Sequence, residues 1–95
     1  KLQTMKMNIT GLISNDGTEI GPIEATTRNM TIEITGTAGT ISGSKSVSGE
    51  TYTIADTYEF TGPTETFDIN VNVAGTMIML STTGTFTSAA LITEG

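Results

Sequence analysis

No cysteine, histidine or tryptophan occurs among the 95 residues, and each absence removes a class of chemistry. Without cysteine there is neither a disulfide framework nor a thiolate metal site. Without histidine as well, no Ser-His-acid triad or Cys-His nucleophile pair can be assembled. Cations are scarce too. Lys1, Lys6, Arg28 and Lys45 stand against ten acids, for a net charge of −6. The four are scattered and form no basic patch. Nucleic-acid binding, which begins with neutralising phosphates, and attraction to anionic membranes are therefore both disfavoured. No apolar run, that from Met77 to Leu80 included, comes near the roughly 18–20 residues that cross a bilayer as a helix.

Large apolar groups are also few. The hydrophobic share is 36%, and three Phe and two Tyr supply all the rings. That share lies below the roughly 45–50% apolar usage of average domains, so the core must be thin and built mainly from Ile, Val and Met. The length indicates one β domain spanning residues 1–95, with a folded radius of gyration of roughly 12–13 Å.

What the sequence does have is threonine, its commonest residue, spread from Thr4 to Thr93. A branched β-carbon suits the pleat of a strand, and a hydroxyl suits its solvent face. Apolar residues recur with period two and are interrupted by Gly, Asn, Asp, Ser and Pro. Met5, Met7 and Ile9 alternate with polar neighbours in a first strand reaching about Ile13. Ser14 to Thr18 reads as a turn around Gly17. Glu19 to Thr27 returns as a strand that Gly21-Pro22 makes an edge or a bulge. Met30, Ile32 and Ile34 mark a third strand. From Gly36 to Gly49 the composition predicts a short strand at Thr40–Ser42 followed by an exposed loop. Two segments, around Tyr52–Ile54 and Tyr58–Phe60, flank a break at Ala55-Asp56. Phe67–Val73, Thr76–Thr82 and Thr85–Thr93 complete about seven or eight short strands. The expected fold is all-β: a small antiparallel sandwich, immunoglobulin-like or jelly-roll-like, or a barrel.

The segment FDINVNVAG (67–75) carries Asp68, Asn70 and Asn72 in the D-x-N-x-N spacing that opens a helix–loop–helix calcium site. Counting from Asp68, the glycine required at position six is Val73 and the acid required at position twelve is Met79. The alternation of Phe67, Ile69, Val71 and Val73 reads as a strand with three polar side chains on its solvent face. A weakly held cation is the most that face supports. Asn15-Asp16-Gly17 needs no function beyond its turn. Asn8-Ile9-Thr10 and Asn29-Met30-Thr31 match the N-glycosylation rule, which chance explains in a chain this rich in Ser and Thr. Ser44-Lys45-Ser46 reads as a solvated loop rather than a nucleophile. The aromatic residues are needed for packing, with Tyr58 the ring expected to be most exposed. No catalytic residue, cofactor or metal ligand is assigned, and an enzyme is not expected.

Four methionines carry the interaction signal. In Met77-Ile78-Met79-Leu80 both faces of a strand are apolar, which requires cover on both sides or contact with another subunit. Met5 and Met7 lie in an N-terminal segment placed to add as a strand to a neighbour. Met5, Met7, Met77 and Met79 are therefore the candidate subunit interface. The expected partners are other protein subunits, in homo- or hetero-oligomeric assembly. The expected function is a structural subunit of a larger assembly: a virion protein (bacteriophage capsid-decoration or tail-associated), or a component of a surface filament or layer. The alternative is an extracellular immunoglobulin-like adhesion module that binds a glycan or protein through loops such as 43–49 or 62–66. Its setting is correspondingly the virion, the cell surface or the extracellular space.

Overall fold

The structure, a computed structural model, describes residues 4–25 and 29–94. Eight strands form along the described residues: β1 (Thr4–Asn8), β2 (Glu19–Glu24), β3 (Asn29–Gly36), β4 (Gly39–Ser46), β5 (Thr53–Phe60), β6 (Thr64–Asn70), β7 (Met77–Thr82) and β8 (Phe86–Glu94). They make two four-stranded antiparallel sheets, ordered β1-β8-β3-β6 and β2-β7-β4-β5. In every outer pair the strand numbers sum to nine: β1 with β8, β2 with β7, β3 with β6, β4 with β5. The chain is one long hairpin rolled up so that successive strands cross between the sheets everywhere except at the β4–β5 turn, where the two pair in one sheet. This is the jelly-roll order. The immunoglobulin order would pair the first two strands with each other, and the described ones do not pair.

The core lies between the sheets. Ile32, Ile34, Ile69 and Leu91 from one side meet Ile20, Ile23, Ile41, Ile78 and Leu80 from the other, and Phe60 and Phe86, paired with Gly39 and Gly36, lie toward one end. Of the Ile, Val and Met expected to build it, isoleucine predominates among the described residues, with Val71 and Met30 beside it, and the Cα radius of gyration is 12.6 Å.

Several expected boundaries shift. The first strand stops at Asn8, and a 3-10 turn at Thr10–Leu12 leads to an isolated bridge between Ile13 and Ile20. The second ends at Glu24 and is irregular where expected, with a register shift between Ile20 and Ile23 around Pro22. Residues Thr26 and Thr27, included in that expectation, lie outside the described residues. The segments around Tyr52–Ile54 and Tyr58–Phe60 are mostly one strand, β5, whose pairing with β4 shifts between Gly43 and Ser44; Tyr52 itself precedes it. The strand expected over Phe67–Val73 is β6, beginning earlier at Thr64 and ending at Asn70.

The largest correction concerns residues 39–46. The composition suggests a short strand and then a solvated loop, but Gly39–Ser46 is an eight-residue strand in the interior of its sheet. At its start, and at Gly36 just before it, the small residues answer to crowding. A side chain at Gly36 would collide with the Thr85 carbonyl, and one at Gly39 with the backbone of Gly84. These glycines let two inter-strand connections cross at contact distance.

Candidate interaction edge

A sandwich has two long edges where the sheets must be closed against water. At one of them β5 faces β6. Tyr58 and Phe60 on β5 and Phe67 on β6 all point between the sheets, as their register with Ile41, Gly39 and Ile32 requires. The Tyr58 and Phe67 ring centroids are 4.9 Å apart, and those of Phe60 and Phe67 are 6.0 Å apart, both tilted. Such spacing suits the positive edge and negative face of aromatic rings. The Tyr58 hydroxyl donates to the Asp68 carbonyl at 3.3 Å. Burial, with Asp56 and Asp68 nearby, pushes its pKa above the ordinary tyrosine value, so it stays a donor at neutral pH.

Charged groups finish this edge at both ends. Lys45 points inward from β4, bonds the Asn70 carbonyl across the sandwich and pairs with Asp56 at 3.2 Å. Glu65 folds back on the β5–β6 connection and accepts from the Thr61 amide, the Thr61 hydroxyl and the Gly62 amide at 2.7–2.9 Å. Those bonds hold the Glu65 carboxyl below its usual pKa. Inward charges are one of the devices by which an edge strand resists pairing with another chain.

The opposite edge, where β1 faces β2, has no such closure among the described residues. Met7 pairs with buried Leu91 and so points to the core side of its sheet, as does Met5 two residues before it. Both remain 59% and 57% exposed, although Ile9 on the same side is buried. Leu12 in the following turn is exposed as well. On the outer face Lys6 reaches across β8 to Glu33 at 3.3 Å. That pair is well exposed on the lysine side and contributes little to stability.

The four methionines singled out from the sequence thus part company. Met77 and Met79 lie on β7, an interior strand, and on its outer face. They are half-buried there: the loop backbone at Gly49 approaches Met77, and Gly21 of β2 lies against the Met79 sulfur. The doubly apolar strand is therefore largely covered within the chain itself. Among the described residues Met5 and Met7 have no such cover.

Other sequence candidates resolve as follows. Asp68 and Asn70 are exposed on β6, and Asn72 lies in the turn beyond it. Among the described residues no group of three or more acids gathers as a metal site. Thr31 takes up Asp68 in a hydrogen bond at 2.8 Å. Asp16 accepts from the Ser14 hydroxyl and from both the hydroxyl and amide of Thr18, bonds that lower its pKa and close the turn. Tyr58, the ring expected to be most exposed, is partly buried and packs against Phe67. Ser46, expected in a loop, is buried and accepts from the Gly49 amide at 2.8 Å. The Met5 and Met7 exposure was not readable from alternation alone, because an edge strand and an interior strand share the same pattern.

No helix among the described residues is long and apolar enough to cross a membrane. No protein-family model matches this chain, and the comparisons with curated proteins and with solved structures give no match either.

Proposed function

We propose that this chain is a non-enzymatic structural subunit of a larger protein assembly, joined to its neighbour through the free edge of β1. The observation that carries this reading is the exposure of Met5 and Met7 on the core-facing side of an edge strand that, among the described residues, pairs on one side only. Added backbone would satisfy the free amides and carbonyls of β1, and added side chains would cover the methionines. Methionine suits such a contact because its flexible thioether adapts to an irregular partner surface.

A virion component, such as a bacteriophage capsid-decoration or tail-associated protein, is the favoured version; a cell-surface filament or layer is the next. Eight-stranded jelly rolls recur among viral capsid domains, which supports the first by likeness of fold alone. The opposing reading is an extracellular binding module. Jelly rolls also recur among lectins, and a shallow hollow lined by Tyr52, Glu19, Ser44 and Ser81 sets a ring beside polar groups that suit a sugar.

Light scattering behind size exclusion, over a hundred-fold range of protein concentration, separates the two. The subunit reading expects association that grows with concentration and is lost in the Met5→Thr/Met7→Thr variant. A monomer at every concentration would sink it. Glycan binding abolished by Tyr52→Ala would then establish the module.

A further inference from the structure

Resting on the reading of β1 as a docking edge, we propose that its occupant is β1 of a second copy, paired antiparallel about a two-fold axis at Met7. The directions of the backbone groups come first. The Ile9 amide donates to the Ala89 carbonyl at 2.9 Å, and the register continues through Asn8↔Ala90, Met7↔Leu91 and Lys6↔Ile92. Groups alternate along an antiparallel ladder, so Met7 shares with Ile9 the direction toward β8. Lys6 and Asn8 turn their amides and carbonyls outward, to the unpaired side.

Charge and apolar matching then choose among the self-pairings. A register setting Lys6 against Lys6 of the copy places like charges directly opposite, which is unfavourable. A register centred on Met5 pairs only Thr4 to Lys6 among the described residues of each copy. Centring on Met7 sets Lys6 against Asn8 and Asn8 against Lys6, so four outward main-chain hydrogen bonds form with no like-charge pair. The same register puts Met7 against Met7 and Met5 against Ile9, all on the core-facing side.

The product is a continuous eight-stranded sheet, β6-β3-β8-β1 followed by its two-fold mate. Both of its new outer edges are β6, the edge that aromatic rings and inward charges close. Growth stops at two copies, as an isologous contact requires. One short strand pair with its methionines buries less than the roughly 1,200–2,000 Å² of a stable complex, so this dimer forms reversibly at high concentration.

The absence of cysteine makes a direct test available. In a non-hydrogen-bonded pair the Cα atoms approach to about 4.5 Å, within disulfide range. Met7→Cys is expected to give a covalent dimer under mild oxidation. Met5→Cys is not, because its mate lies four residues along the partner strand, roughly 13 Å away. Expected is at least ten-fold more cross-linked M7C than M5C, on a non-reducing gel with intact-mass confirmation. Equal cross-linking of the two, or cross-linking only in an M5C and M7C mixture, overturns the Met7 register. So does a failure of both variants to cross-link. If the unmodified chain still associates in light scattering, the self-pairing falls and the assembly reading stands; if it is monomeric throughout, both fall.

Discussion

At the β5/β6 edge three rings, the Lys45–Asp56 pair and Glu65 close the gap between the sheets; at the β1/β2 edge two methionines on the core side are left in solvent. Both edges belong to the same small sandwich, drawn from the same aromatic-poor composition. The chain concentrates three of its five rings at one of them. A domain of this size buries only about 60–65% of the surface its unfolded chain exposes, so an edge left open is a large share of what remains uncovered. The difference separates what holds the monomer together from what it offers a neighbour.

The sharpest way to break this comparison is to remove a ring from the closed edge. Phe60 is buried, and Phe60→Ala is expected to cost about 3–5 kcal/mol, read as a fall in the urea midpoint. A loss below about 1 kcal/mol would mean the rings do not close the edge. Tyr58→Phe keeps the ring and removes only the donor to the Asp68 carbonyl, so about 0.5–1 kcal/mol is expected by the same measurement.

Acid sharpens the comparison further. The folded pKa of Glu65 lies below the ordinary glutamate value of 4.5. Its contribution is therefore present above that value and lost as pH falls through the lower folded one. Asp16 acts in the same direction from the β1/β2 side of the fold. Thermal melts between pH 6 and 2 are expected to show Glu65→Gln with a shallower acid-side loss than the parent chain. An unchanged slope would remove Glu65 as a closure of the edge.

The smallest effect on monomer stability is expected at the open edge. Met5→Thr/Met7→Thr should change the unfolding free energy by about 0.5 kcal/mol or less, since these side chains already face water. The same variant should abolish association. A large loss of monomer stability would show that the methionines serve the core after all.

The fold was readable wherever local chemistry decides it. The alternation of Met30, Ile32 and Ile34 is enough to place β3, and Asn15-Asp16-Gly17 to place the turn before β2, where Gly17 adopts a φ of 75°. β4 was not readable. Gly39 fits against the backbone of Gly84, and such crowding depends on partners distant in sequence. The same limit governs the candidate interface. Met7 alternates with polar neighbours and Met79 with apolar ones, and neither pattern by itself says that the first lies on an edge strand and the second on an interior one. Strand order, not periodicity, decides which is exposed, and strand order is a property of the whole roll.

The most direct test of the open edge is hydrogen exchange at single-amide resolution as protein concentration is raised. The expected result is slower exchange at the amides of Lys6 and Asn8, with the free amides of β5 and β6 unchanged. Exchange at Lys6 and Asn8 that does not respond to concentration, or protection that appears first on β5 or β6, would contradict it.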